Sequence, residues 1–383
     1  MNKNNKIYEK ANLRSEEIAA LELRALYEQN GYRKYRMSRF EEYSLYANNR
    51  DFLAGDKVLT FTDLDGRLMA LKPDVTLSII RHFRDEPGVV QKLFYNENVY
   101  RVLQKTHAFK EIMQVGLECI GAIDTYCICE VLTLAAESLR RISPRCVLDI
   151  AHLGIVGSII EGFSFSDATR ARVLRCVSEK NGHELALLCE QNGVEPHKAA
   201  VLRSLVALCD RPAQAMPKLR ALLAQSGSSR LAEQLAQLEA VVAALSGTDV
   251  EDMLRIDFSV VNDLNYYNGI VFRGFVEGVP TGVLSGGQYD RLMRKMKHQA
   301  GAIGFAIYLD QLERLGGDAR EYDTDTVLLY SRSDDPARVA RVVNELSRDG
   351  ARVTAQKELP EGLKFRRLMK LTDKGAAEIG RDA

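Results

Sequence analysis

The sequence contains no apolar run of about 18 or more residues, which excludes a membrane-spanning helix. Its start, MNKNNKIYEKANLRSEE, has no apolar h-region, so a secretory signal is not expected and a cytoplasmic protein is the default. Charge of one sign is also missing: 52 lysines and arginines balance 52 aspartates and glutamates, for a net charge of zero. A protein built around a long nucleic acid usually carries a basic excess, because phosphate neutralisation dominates such affinity, so no nucleic-acid partner is expected. The seven cysteines are odd in number and sit mostly in apolar stretches, the pattern of buried thiols in a reducing compartment. Cys127 and Cys129 form a C-x-C, but no second ligand pair at zinc-site spacing accompanies it. No metal and no cofactor are expected.

What is present suits a folded domain of ordinary composition, 383 residues with 46% apolar and 27% charged side chains. RSEEIAALELRALYEQNG (14–31) predicts a helix, with Ser15 able to cap it, Ile18, Leu21, Ala25 and Leu26 on one face, and Gly31 as the stop. KVLTFTD and RLMALKP flank Leu64-Asp65-Gly66, a strong hairpin signal. Pro73 ends the second strand, and VTLSIIRHF restarts as a helix from Asp74, a plausible N-cap. QKLFYNENVY and FKEIMQVGLECIGA read as strands around a polar, basic turn. A helix from Thr125 to about Arg141 follows, and then the buried strand CVLDIAH.

From about 158 to 250 the chain turns rich in alanine, leucine and glutamine at helical spacing, and predicts an all-helical insertion. Strand character returns at MLRIDFSVVNDLNYYNGIVFRGFVEG. LSGGQYD (284–290) reads as a glycine loop, and GAIGFAIYLDQLERLGG as a strand leading into a helix. Beyond the polar linker, 326–356 predict strand, helix and strand, and the remaining lysine- and arginine-rich residues look marginally ordered.

Three separated segments together resemble histidyl-tRNA synthetase: LKPDVT (71–76), LFYNENVYRVLQKTHAFKEIMQVGLECIGA (93–122), and NDLNYYNGIVF with SGGQYDRL and GAIGFAIYLDQLERL (262–315). Any one segment is weak; their order and spacing match a class II synthetase core with a helical insertion ahead of its last motif. The resemblance implies an α+β fold, an antiparallel sheet flanked by helices that dimerises through its first motif. It places the core at residues 1–317, with the insertion at 158–250 and a small, truncated C-terminal α/β unit at 318–383.

The synthetases use three arginines electrostatically, two on ATP phosphates and a histidine-specific one on charge developing at the reacting carboxylate. By resemblance these positions fall on Tyr95, Gln311 and Asn262, although Glu97 remains beside the first. The first-motif proline falls on Ser38, and the glycine-segment arginine on Gln288. Tyrosine, glutamine and asparagine cannot offset phosphate charge. Losing one oxyanion donor costs about 10²–10³ in rate, so losing three cations should abolish adenylation, and no catalytic residue is expected.

The amino-acid pocket keeps more of its pattern. By resemblance Asp74 faces the α-ammonium of histidine, with Thr76 and Gln114 as neighbours, while Glu118 reads the imidazole and Tyr266 and Tyr267 flank it. Gln114 and Glu118 are four apart, an even spacing that puts both on one face of a strand. Each residue has a plainer reading: Asp74 as a helix N-cap, the tyrosine pair as packing, Gly286 and Gly287 as a tight turn, and Lys105, His107 and Lys110 as a solvated face. With asparagine at 262, the carboxylate of a bound histidine has no assigned partner.

A synthetase-like core without catalysis and with a short tail looks like the regulatory-subunit family of ATP phosphoribosyltransferase. That family partners a short-form catalytic subunit in the first step of histidine biosynthesis and allows feedback by free histidine. The resemblance implies a dimer of this chain within a hetero-oligomer; it does not give the stoichiometry or the partner-facing surface, and leaves open whether histidine acts in this pocket or at an interface. The competing readings are a divergent histidine–tRNA ligase or amino-acid-activating paralogue, and a tRNA-binding sensor. The arginine positions count against the first, the short tail and zero net charge against the second.

Overall fold

The computed structural model describes residues 14–53, 58–102, 108–224, 228–260, 266–315, 322–348 and 350–381. Residues 19–315 form one compact unit, and the C-terminal residues from 316 onward belong to a second.

The chain enters through α1 (Ser15–Gln29), stopped by Gly31 at φ +80°, and continues into β1 (Arg33–Lys34). The buried stripe of α1 within the larger unit is Ala19, Leu23, Leu26 and Tyr27. Leu21, expected on that face, is 56% exposed, so the buried stripe runs about one position out of phase with the expected one. Ser15 lies inside the helix, and Glu17 accepts the Arg14 N–H at 2.8 Å instead.

A three-stranded antiparallel sheet follows, β2 (Phe40–Glu42), β3 (Thr60–Thr62) and β4 (Leu68–Leu71), in the order β2-β4-β3, with α2 (Tyr43–Ala47) after β2. The Asp65-Gly66 hairpin forms as expected: Gly66 takes φ +78°, and Asp63 Oδ1 accepts the N–H groups of Asp65 and Arg67. Past Pro73 the chain turns into α3 (Thr76–His82). The ribbon β5 (Val90–Val102) and β6 (Phe109–Gly121) comes next, then α4 (Thr125–Ile142), whose Asp124 cap accepts the Cys127 N–H, and β7 (Cys146–His152).

The insertion is built from α5 (Leu153–Glu161), α6 (Asp167–Ser178), α7 (Gly182–Gln191) and α8 (Pro196–Ala207), then α9 (Pro212–Leu223) and α10 (Ser229–Leu245). It is helical as expected, except that the two-residue β8 (Cys209–Asp210) pairs with β9 (Leu254–Asp257). Then come β10 (Ile270–Val276), β11 (Leu284–Gln288), α11 (Asp290–Lys295) and β12 (Gly301–Tyr308), with a 3₁₀ segment over Leu309–Leu315. The expected glycine loop is instead largely a strand, because Gly286 and Gly287 let neighbouring backbone and rings approach closely. A Cβ on Gly286 would come within 2.5 Å of the Gly304 carbonyl oxygen.

These strands form one nine-stranded sheet, in the order β1-β5-β6-β12-β11-β10-β7-β9-β8. It is antiparallel apart from the β1–β5 and β7–β9 pairs. Its helix-covered face packs Leu132, Leu139, Ile155, Val156 and Leu238 against Leu148, Ile150 and Phe272.

The second unit has its own sheet. Strands β13 (Thr324–Leu329) and β14 (Val353–Gln356) are joined through α12 (Pro336–Ser347), and β15 (Phe365–Thr372) and β16 (Gly375–Arg381) add a hairpin. The order is β14-β13-β15-β16, around a small core of Leu328, Val339, Val342 and Leu371. The basic tail expected to be marginally ordered thus supplies two strands: in FRRLMKLT the apolar residues alternate with charge, and Met369 and Leu371 turn to the core.

Candidate functional site

The registers of β5, β6, β12, β11 and β10 build the floor of a cavity. Tyr95 pairs with Gly116, Gly116 with Ala306, Ala306 with Ser285, and Ser285 with Arg273. Directly paired residues share a face, so small side chains form the middle of this row, with Tyr95 at one end and Arg273 at the other. In the next row Glu118 pairs with Gly304, and Gly304 with Gly287. The hollow over these glycines has a volume of about 410 Å³. Asp74, Thr76, Gln114, Glu118, Tyr266 and Tyr267 all line it. So do Tyr95, Arg101, Arg273, Tyr289 and Tyr308.

Each residue is placed by its element. Pro73 breaks the strand, and Asp74 Oδ1 accepts the Leu77 N–H at 2.8 Å, so Asp74 both caps α3 and faces the cavity. Burial raises its carboxyl pKa, an effect countered by the Leu77 N–H and by the charge of Arg101. Two residues later, Thr76 Oγ1 donates to Glu118 Oε1 at 2.7 Å, and the Tyr289 hydroxyl donates to Oε2 at 2.6 Å. Glu118 is only 2% exposed, and burial pushes its carboxyl up to about 8 despite those two donors. Near neutral pH burial therefore holds Glu118 mostly as the neutral acid.

The tyrosines form an aromatic wall. The Tyr266 and Tyr267 rings meet edge to face at 4.7 Å, with Tyr289 6.0 Å and Phe52 6.2 Å from Tyr266. Tyr267 lies over Gly287, where an added Cβ would come within 2.8 Å of its Cδ1. Tyr95 is buried with its hydroxyl over Gly116, and burial together with Glu118 and Asp74 raises its pKa, so it presents a neutral phenol to the cavity. Two residues along β5, Glu97 pairs at 2.6 Å with Lys72, which is 1% exposed.

Gln311 does not line the cavity; it accepts from Thr281 and donates to Asp310. Asp310 also takes Lys110 at 2.6 Å, so Lys110, expected merely to face water, forms an ion pair. Gln288 accepts the Ile270 N–H at 2.7 Å and locks β11 to β10, and Ser38 Oγ accepts the Phe40 N–H at an exposed turn. Asn262, Lys105 and His107 lie outside the described residues. Of the thiols, Cys119, Cys127, Cys176 and Cys189 are buried, whereas Cys209 is exposed. Among the described residues no cluster of three metal-ligating side chains forms, and no helix is long and apolar enough to cross a membrane.

Arg101 and Arg273 were not singled out from the sequence. The signal was available: counting by twos along β5 from Tyr95 reaches Arg101 on the same face. Arg273 required the register across five strands.

Residues 8–312 match the sequence model of histidyl-tRNA synthetase. The chain belongs to the histidyl-tRNA synthetase family. It is 25% identical over 286 residues to an ATP phosphoribosyltransferase regulatory subunit from Oceanobacillus iheyensis, covering 74% of this chain and 69% of that protein. Among solved structures it resembles an ATP phosphoribosyltransferase regulatory subunit/histidyl-tRNA synthetase from Bacillus halodurans, with a TM-score of 0.72, 24% identity, and 89% of this chain and 88% of the other covered. It also resembles a chain of the ATP phosphoribosyl transferase (HisG:HisZ) complex from Thermotoga maritima, with a TM-score of 0.57, 17% identity, and 77% and 97% covered. These likenesses bear on the fold, and the expected antiparallel sheet flanked by helices is present, with two parallel pairs, β1–β5 and β7–β9, added to it.

Proposed function

We propose that this chain is the non-catalytic regulatory subunit of an ATP phosphoribosyltransferase, acting in the first step of histidine biosynthesis and carrying a pocket for free histidine. The observation that carries the reading is the contrast within one cavity. Asp74, Thr76, Gln114, Glu118, Tyr266 and Tyr267 converge there, while the family's α-phosphate arginine position carries the neutral, buried Tyr95. A carboxylate for an ammonium, a carboxyl for an imidazole and an aromatic wall are what free histidine needs. Gln311, at a second phosphate position of the family pattern, hydrogen-bonds Thr281 and Asp310 and offers no charge. The relatives named as regulatory subunits support the same reading.

A pocket without chemistry is useful when its occupancy shifts another protein's equilibrium. Histidine must then bind one state of a hetero-oligomer better than the other, which makes the chain allosteric. The partner in this reading is a short-form catalytic subunit, held in the cytoplasm by a persistent interface and arranged around a two-fold dimer of this chain.

Co-expression with that catalytic subunit tests the assignment. Both polypeptides should elute in one peak, with phosphoribosyl transfer raised by this chain and lowered by histidine. Separate elution at micromolar concentration, together with activity indifferent to this chain, sinks the assignment. Independently, Glu118→Ala should weaken histidine binding by roughly 1–3 kcal/mol, the cost of an unpaired buried donor; equal binding by both proteins moves the effector site elsewhere.

A further inference from the structure

We propose that Arg273 and Ser285 form an oxyanion-binding subsite at the β10 end of the cavity, where the carboxylate or phosphate of a ligand is held. The proposal goes beyond the histidine reading above, and the subsite lies at none of the three arginine positions of the family pattern.

Arg273 on β10 and Ser285 on β11 are direct cross-strand partners, and both line the cavity. Side chains opposed in this way share a face and start about 5 Å apart, close enough to act on one small group. The packing around Arg273 aims its guanidinium. Asp149 is its partner on the other side, across β7, yet the two form no ion pair: Asp149 Oδ1 is buried without a hydrogen-bond partner among the described residues. The arginine stem lies instead on the β11 side, along Gly282, where an added Cβ would come within 2.9 Å of Cγ and 3.1 Å of Cδ. Its guanidinium carbon sits over the Phe275 ring, 5.5 Å from the centroid. A guanidinium that meets a ring through its face keeps the N–H groups of its rim for other partners.

Among the described residues neither Arg273 nor Ser285 makes a side-chain hydrogen bond or an ion pair. A fixed fork of N–H donors beside a hydroxyl, with no protein acceptor facing either, suits an oxyanion, because carboxylate and phosphate both accept in that planar geometry. Orientation by Gly282 and Phe275 means that little side-chain freedom is lost on binding. Register sets the distance from the rest of the cavity: Glu118 on β6 is three strands from β10, about 14 Å along the sheet. An amino acid whose side chain lies toward Glu118 can turn its carboxylate to this end, and a free phosphate can occupy it alone. The chemistry recognised is the same.

Calorimetry on the full chain with histidine, histamine (histidine without its carboxylate) and inorganic phosphate tests the assignment. Arg273→Gln keeps a planar polar end group and removes the charge. If the subsite takes the carboxylate of an amino acid, this variant should bind histidine roughly 10–100-fold more weakly, the worth of hydrogen bonds to a charged group, and histamine as the wild type does. If it takes free phosphate, the wild type should bind phosphate and the variant should lose a similar factor, with histidine unaffected. Ser285→Ala should weaken the same ligand by a smaller factor. Should Arg273→Gln fail to fold, Arg273→Lys decides: it keeps the charge without the fork, and should show a partial loss for that ligand alone. Variants that bind all three probes as the wild type does overturn the subsite and leave the histidine pocket standing. An equal loss of histidine and histamine overturns it too, since Arg273 then only shapes the cavity. A wild type that binds phosphate but not histidine removes the histidine pocket and keeps the subsite, and one that binds neither removes both.

Discussion

Gly304 lies directly opposite Glu118 across β6 and β12, and a Cβ at 304 would fall 1.8 Å from Glu118 Oε2. The carboxyl that is proposed to read the imidazole therefore lies across its neighbour's backbone, in space that exists only because residue 304 has no side chain. Gly304→Ala should push Glu118 off Tyr289 and Thr76. We expect histidine affinity to fall at least about tenfold and stability to fall by about 1–3 kcal/mol, the usual cost of overfilling a packed site. Calorimetry and urea melts check the two effects, and unchanged histidine affinity would show that Glu118 can serve from another position.

A second relationship of the same kind joins Tyr95 to Gly116, where an added Cβ would come within 2.4 Å of the tyrosine hydroxyl. The phenol thus fills the floor at the position that the resemblance assigns to a phosphate arginine. Histidine-dependent exchange of pyrophosphate into ATP should be indistinguishable from a blank. Tyr95→Arg alone should not restore it, because Gln311 still brings no charge and transition-state cations act as a set. A clear, protein-dependent exchange signal from the wild type would overturn the non-catalytic reading.

The candidate site residues came from the family resemblance, and spacing supported the placement of three of them. The even separation of Gln114 and Glu118 placed both on one strand face, and Asp74 after Pro73 marked a helix start; both hold in the structure. What was not legible depends on register. Ser285, Ala306 and Arg273 form one row only once three strands have been aligned, and nothing local in IVFRGFV marks its arginine as facing a cavity. Gly286 and Gly287 looked like a loop because glycine is the commonest turn residue. Here they permit close backbone approach within a strand. The tail failed for a related reason: β15 and β16 are short, charged strands whose stability comes from pairing with β13 and each other, a long-range effect that propensity does not record.

Lys72 is among the largest fully buried side chains, and its ammonium meets Glu97 at 2.6 Å. Removing one partner of a buried pair leaves the other charge uncompensated, which typically costs about 3–5 kcal/mol. Lys72→Ala should therefore unfold at markedly lower urea. The double variant Lys72→Met with Glu97→Leu should recover much of that loss, because no charge then remains to be solvated. A Lys72→Ala protein as stable as the wild type would mean that water reaches Glu97 from its partly exposed side.

Glu118 gives the stability a pH dependence whose sign is fixed by linkage. Its carboxyl sits at about 8 in the folded chain, against an ordinary value of 4.5. As pH rises above 4.5 the unfolded chain gives up this proton while the folded chain keeps it. Stability contributed by this group therefore falls as pH rises from about 4.5 to about 8, and is level beyond. Glu118→Gln removes the proton from both states. The ligand-free variant should gain on the wild type as pH rises across that window, by on the order of a few kcal/mol at its upper end. Asp149, whose carboxyl burial and the neighbouring Asp257 push to about 6, adds a slope of the same sign below that value, but it is common to both proteins and cancels in the difference. Histidine should reverse the proton preference, since an imidazolium beside Glu118 favours the carboxylate. Near pH 7 the one proton held by Glu118 suffices for the carboxyl–imidazole pair, so binding should exchange almost none with solvent; at pH 9 the pair must take one up. Urea melts of both proteins at pH 5 and 8, and calorimetry of histidine binding in buffers of differing ionisation heat, measure these quantities. A Glu118→Gln variant that loses ground to the wild type between pH 5 and 8 would mean that this carboxyl is ionised in the folded chain and that the pocket is wetter than its burial implies.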